Sequence, residues 1–261
     1  MKKINNIDFI KVESLGNDFM IIDNKMRINL SASKIKKLAN RHTGVGFDQL
    51  LIIDQNSPHS DCHFNIFNSD GSEAKQCING LRAIAHHLFN KTDKGIPLNI
   101  SNKSGIFSAT YDNDLIEVSI PTQKAKLYTD NTNINISYVD FGNQHALVKV
   151  ENINTALIDK IVGAINNKNF FPEGCNISIY EQAAPGELKA RTIEKGSGET
   201  LACGSAAVAL AFAVANNDKA NSKQELKIIQ PGGTQSTTWQ CNDYIKIKAP
   251  ASIVFTGILT L

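Results

Sequence analysis

Two short segments of this 261-residue chain follow one pattern. Glu73-Ala74-Lys75-Gln76-Cys77-Ile78-Asn79-Gly80 and Glu199-Thr200-Leu201-Ala202-Cys203-Gly204-Ser205-Ala206 both read glutamate, three residues, cysteine, one residue, asparagine or serine, then a small residue. Each follows a glycine-containing turn, Asp70-Gly71-Ser72 or Gly196-Ser197-Gly198, and each runs into an apolar helical stretch. The cysteines stand 126 positions apart, close to half the chain. Agreement in turn, cysteine, small polar residue and helix implies two similar halves, each delivering a thiol at a helix start.

The rest of the chain fits around these points. Asp8–Val12, Phe19–Asp23, His63–Asn68, Asn99–Ser101, Ile116–Ile120, Ala146–Val148, Asn176–Ile179, Leu226–Ile229 and Tyr244–Ile247 are short β-branched runs of strand type. The turn Leu15-Gly16-Asn17-Asp18 separates the first two, and Ser33–Arg41 has a helical pattern. Leu81, Ile84, Ala85 and Leu88 recur at helical spacing, and Ala206–Ala215 is so apolar that its helix is expected to be buried on all sides. The polar stretch Tyr111–Asn135 is the expected crossing between halves, which gives a division into residues 1–122, joined by a returning strand at 250–261, and residues 123–249.

Composition removes several functions. With 27 basic and 25 acidic residues spread along the chain, no basic surface for nucleic acid or anionic lipid stands out. Lys34, Lys36 and Lys37 read as a solvated helix face with Ile35 and Leu38 turned inward. The start, Met1-Lys2-Lys3-Ile4-Asn5-Asn6, lacks the pattern of a secretion signal, and no apolar run reaches membrane-spanning length, so a cytoplasmic location is expected. Five cysteines at 62, 77, 175, 203 and 241 lack disulfide or zinc-knuckle spacing and are expected reduced, with no metal; Cys62, Cys175 and Cys241 read as ordinary packing residues. A metal site from Cys62, His63, His86 and His87 is disfavoured, because adjacent histidines on a helix diverge.

A cysteine in the first turn of a helix meets unpaired backbone N–H groups and the positive end of the dipole, which favour the thiolate. The same amides, at Ile78, Asn79, Gly204 and Ser205, can hold a carboxylate. Two such ends brought to one amino acid leave a thiol on each face of the α-carbon, one removing a proton while the other supplies one. Nothing in the chain suggests a pyridoxal phosphate lysine, so the expectation is an epimerase without cofactor, whose carbanion is stabilised by preorganised amides.

The chain resembles the diaminopimelate epimerase family from end to end, through Leu15-Gly16-Asn17-Asp18-Phe19, Gly46-Phe47-Asp48-Gln49-Leu50, Phe67-Asn68-Ser69-Asp70-Gly71-Ser72-Glu73, Cys77-Ile78-Asn79-Gly80, Gly142-Asn143-Gln144-His145, Glu173-Gly174-Cys175-Asn176 and Gly198-Glu199-Thr200-Leu201-Ala202-Cys203-Gly204-Ser205. The resemblance implies an α/β fold of two pseudo-symmetric halves, each a barrel-like, mostly antiparallel sheet around a central helix. It also implies conversion of LL-diaminopimelate to the meso form in lysine and peptidoglycan precursor synthesis, and a homodimer. Residue by residue it implies catalytic Cys77 and Cys203, assisted by His145 and Glu194 respectively, with Asn17, Gln49, Asn68, Asn143 and Asn176 lining the substrate site.

Three positions depart from the family pattern. Ile78 stands where glycine normally follows the first cysteine, and Lys195 where arginine normally follows Glu194 and grips the distal carboxylate. Lysine keeps that charge but loses the two-pronged hydrogen bond. Val12-Glu13-Ser14 stands where a histidine commonly precedes Leu-Gly-Asn. Two alternatives follow: a sister racemase acting on another amino acid such as histidine, and a non-catalytic amino-acid-binding relative.

Overall fold

The structure is a computed structural model that describes residues 6–23, 29–54, 58–130, 135–217, 225–240 and 244–260; the N-terminal residues 1–5 and Cys241 lie outside the described residues. Its contacts divide into two compact units, Met1–Val118 with Ala249–Leu261, and Ser119–Lys248. Among the described residues no helix is long and apolar enough to cross a membrane.

The first unit opens with β1 (Asn6–Ser14) and β2 (Asn17–Asp23), an antiparallel hairpin that pairs Ser14 with Asn17. Its turn is only Leu15 and Gly16, at φ 56° and 81°, the two positive values that a tight hairpin of this length needs. Leu15 accepts this disfavoured backbone while its side chain is buried. The expected four-residue turn is therefore shorter, and Asn17 and Asp18 belong to the strand, which holds Asn17 more rigidly than a loop would.

Helix α1 (Ala32–Ala39) carries the chain to β3 (Gln49–Asp54), which runs parallel to β2. Ser31 caps it, accepting from the Lys34 N–H, and Ile35 is buried while Lys34, Lys36 and Lys37 are exposed. The helix ends two residues before the expected Arg41, because Asn40 turns extended and its Oδ1 accepts from the N–H groups of His42 and Thr43 at 2.9 Å each. Arg41 is thereby released to bind Asp18 and Asp48.

The chain continues through β4 (Cys62–Asn68), the two-residue β5 (Glu73–Ala74), α2 (Ile78–Phe89), β6 (Leu98–Asn102), β7 (Gly105–Asp112) and β8 (Leu115–Pro121). Gly71, in the turn before β5, combines φ 87° with an approach to Ala32 that leaves a Cβ only 2.6 Å from its backbone. Ten of the twelve α2 residues are buried, and the helix packs on β1, β2, β6 and β7.

The second unit repeats this order: β9 (Lys126–Asp130), β10 (Ile136–Asp140), β11 (Gln144–Lys149), α3 (Ile158–Lys168), β12 (Asn176–Ala184), β13 (Glu187–Glu194), β14 (Gly198–Thr200), α4 (Gly204–Asn217), β15 (Glu225–Gln230), β16 (Gly233–Gln240) and β17 (Tyr244–Pro250). Every residue from Gly204 to Ala213 is buried, as the apolar sequence requires, with α4 against β10, β11 and β16. Its alanines let those strands approach closely, while Val208, Leu210 and Phe212 each contribute about 1.5–3 kcal/mol on burial.

The last strand, β18 (Ser252–Thr260), lies antiparallel to β1 in the first unit, as β9 lies against β10 in the second. The repeat extends beyond the cysteines. Phe67 pairs with Glu73 and Ile193 with Glu199; Phe19 pairs in parallel with Gln49 and His145 with Asn176. Each first-named residue, like Cys77 and Asn17, has its counterpart 126 positions on, so the fold is α/β with two pseudo-symmetric halves.

Candidate active site

Cys77 is the N-cap of α2, with extended backbone, and its Sγ accepts from the Gly80 N–H at 3.3 Å. A cysteine here occupies the place usually filled by serine or asparagine, so a thiol serves as the cap. The thiol is half-buried and points to Asn17 Oδ1 at 3.8 Å, which also accepts from Asn79 Nδ2 at 3.4 Å. One turn along α2, the fully buried Arg82 donates to Asn79 Oδ1 and to Ser14 Oγ. Burial pushes the Arg82 guanidinium down to about 10, while attraction to Cys77 acts in the opposite sense, so the cation favours a thiolate at Cys77.

Across the same unit, Gln49 Nε2 donates to Asn68 Oδ1 at 3.0 Å, and Asn68 Nδ2 to Ser72 Oγ at 3.0 Å. Ile78 is buried in the first turn of α2.

Cys203 directly precedes α4, and its carbonyl accepts from the Ala207 N–H. It is buried, with Gln230 Oε1 on its backbone N–H at 3.1 Å and Ser205 Oγ at 3.3 Å from its sulfur. Burial first, and then the Glu194 carboxylate, push the Cys203 thiol well above its usual range; the Ser205 hydroxyl and Ala206 N–H oppose them. Glu194 in turn accepts from Thr200 Oγ1 at 2.6 Å. The structure thus brings Glu194 to Cys203.

The remaining second-unit residues form one network. Asn143 Nδ2 donates to Ser205 Oγ at 3.0 Å, Asn176 Nδ2 to Asn143 Oδ1 at 3.2 Å, and the Lys195 N–H to Asn176 Oδ1 at 3.0 Å. The Lys195 side chain is exposed and its stem passes over Gly174. His145 is completely buried, stacks on Phe141, and has Nε2 3.5 Å from Asn176 Nδ2. Because Asn176 donates there, the His145 proton belongs on Nδ1, which has no hydrogen-bond partner. Burial lowers His145 to about 3, so the ring is neutral. His145 and Cys77 lie in different units, and within its own unit His145 reaches Asn176.

Burial pushes the Cys62 thiol up to about 12 and the Cys175 thiol to about 11, which suits packing rather than chemistry. Among the described residues no group of three or more His, Cys, Asp or Glu side chains is placed to hold a metal ion. Sequence reasoning passed over Asp48, Arg82, Thr200 and Gln230. For Arg82 the readable signal is a lone charge inside the apolar face of α2.

The family model described as Diaminopimelate epimerase matches residues 9–127 and 137–252, which include both cysteine segments. The chain belongs to the diaminopimelate epimerase family. A diaminopimelate epimerase of Coxiella burnetii is 35% identical over 96% of this chain and 98% of that protein. One from Legionella pneumophila is 34% identical over 97% of this chain and 99% of its own length. A Bacillus anthracis phenazine biosynthesis protein of the PhzF family shares the fold, with a TM-score of 0.76 at 17% identity over 98% of this chain and all of the other.

Proposed function

We propose that this family member interconverts LL- and meso-diaminopimelate without a cofactor, using Cys77 and Cys203 as a base and acid pair. The observation that carries the reading is a thiol at the same point of both halves, at the start of the buried helix α2 or α4. One cysteine, as thiolate, takes the α-proton and becomes a thiol. The other, as thiol, gives its proton to the opposite face and becomes a thiolate, so total charge and proton count are unchanged. Backbone N–H groups of the two helix starts stabilise the carbanionic transition state. Glu194 assists Cys203, and His145 assists Cys77 as a neutral hydrogen-bonding group. Asn17, Gln49, Asn68, Asn79, Asn143, Asn176 and Ser205 bind the two amino-acid ends, and Lys195 takes the distal carboxylate.

This reaction places the enzyme in lysine and peptidoglycan precursor synthesis in the cytoplasm, where reduced thiols persist. A homodimer belongs to the same proposal. It is supported by β18, which pairs with β1 and exposes Ile253, Val254, Phe255 and Ile258. Light scattering should report twice the chain mass, and Val254→Lys with Ile258→Lys should halve it.

A second reading, a racemase for another amino acid, is favoured by Lys195 and Ile78. The deciding experiment incubates reduced protein in deuterium oxide with LL-diaminopimelate and, separately, with L-histidine and other L-amino acids. Exchange with inversion on diaminopimelate alone supports the first reading, and inversion of another amino acid the second. Binding without exchange would sink both in favour of a non-catalytic relative. Oxidation should also join Cys77 to Cys203 and abolish turnover; full activity with that disulfide verified would exclude the mechanism.

A further inference from the structure

The amide of Asn17 joins Cys77 to a charged cluster. Asp48 Oδ2 accepts from Asn17 Nδ2 at 2.9 Å and from the Asp18 N–H at 3.1 Å, while Asp48 Oδ1 accepts from Arg41 at 2.8 Å. A carboxylate has no proton to give, so it can take only the nitrogen end of the Asn17 amide. At the opposite end Arg82, which has donors alone, takes the oxygen of Asn79 and turns Asn79 Nδ2 toward Asn17. Both charges dictate the same sense, with the Asn17 oxygen facing Cys77 and Asn79. A flipped Asn17 would set two NH2 groups against each other and forfeit Asp48.

We propose that Asp48 is a positioning residue which, by fixing the Asn17 amide, keeps an acceptor in front of Cys77 and holds that cysteine as a thiol. This rests on the two-cysteine reading above. The Asn17 oxygen accepts from S–H and opposes the thiolate, whereas the Gly80 N–H and the Arg82 charge favour it. The other charges of the cluster are Asp18 on β2, Lys11 on β1 and Arg41 after α1, with Lys11 2.5 Å and Arg41 2.7 Å from Asp18. In the second unit Asn143 gives its nitrogen to Ser205, and the Cys203 proton is held by the Glu194 carboxylate instead. Among the described residues an amide oxygen thus faces the thiol at Cys77, and a carboxylate does so at Cys203.

The test is alkylation of the reduced full chain by iodoacetamide from about pH 6 to about pH 10, followed peptide by peptide. Asp48→Asn offers its amide in either sense and should move the Cys77 midpoint down by about one unit, roughly tenfold faster reaction at neutral pH, with Cys203 unmoved. Asp18→Asn removes an equal charge while leaving the Asp48–Asn17 bond available, and should move Cys77 clearly less. No shift, an upward shift or equal shifts in both variants would overturn the proposal. Should Asp48→Asn fail to fold, Asn17→Ala removes the acceptor directly and must also move Cys77 downward. Alkylation needs no turnover, so a chain that epimerises nothing would refute the functional reading and leave this result standing.

Discussion

The two halves use one frame and unequal electrostatics. At positions 126 apart, Asn68 is matched by Glu194, Phe19 by His145, Asn79 by Ser205 and Arg82 by Val208. Cys77 therefore has a buried cation behind it and a neutral amide in front, whereas Cys203 has a carboxylate beside it and no charge at the Arg82 position. Duplication can supply two thiols, but identical environments would titrate together; the replacements set a cation behind Cys77 and, beside Cys203, a carboxylate that helps that cysteine keep its proton.

If both thiols serve one carbon, Cys77→Ala and Cys203→Ala should each abolish net inversion, by about a thousandfold or more. Substrate NMR in deuterium oxide reads this, and appreciable inversion by either variant breaks the equivalence of the halves. His145→Phe, which installs the residue found at position 19, sharpens the comparison through stability. Folded His145 is neutral, with its pKa depressed to about 3, so below about pH 6.5 the unfolded chain binds the extra proton and stability falls with pH. Denaturation at about pH 6.5 and about pH 5 should show roughly 2 kcal/mol less acid loss in the variant.

Glu194→Gln removes the charge that raises Cys203, so its thiol should ionise at lower pH and alkylate about tenfold faster at neutral pH. An unchanged rate would leave burial as the sole cause of the asymmetry. The smallest effect is expected at the substrate's distal end. Lys195→Arg restores a two-pronged donor and should lower KM for diaminopimelate a few-fold with kcat little changed. A rise in KM would instead favour the racemase reading.

Strand and helix positions were legible where pattern and burial agree, as in β4, α2 and α4. Helix α3 was not, although Ile158, Ile161, Val162 and Ile165 have helical spacing, because Leu157 offers no capping side chain to announce its start. The strands β7, β9, β10 and β16 each pair with the strand next to them in sequence, yet their mixed polar and apolar residues announce no strand alone, and β13 is held in addition by a parallel pairing with β15. In the site, the cysteines were visible because their contexts repeat. Asp48 and Arg82 were not, because their importance lies in which end of an amide each can bind, a property of three-dimensional placement.

The pairing of β1 with β18 matches Asn6 to Thr260 across the whole second unit. On the ribosome this inverts the usual order. The second unit, one continuous segment, is complete while the first still lacks a strand, and at ~5–20 residues per second β1 waits roughly ten to fifty seconds for its partner. During that interval its outer edge, lined by unused N–H and C=O groups, is open to any passing strand, so nascent chains of this protein need shielding there until β18 arrives.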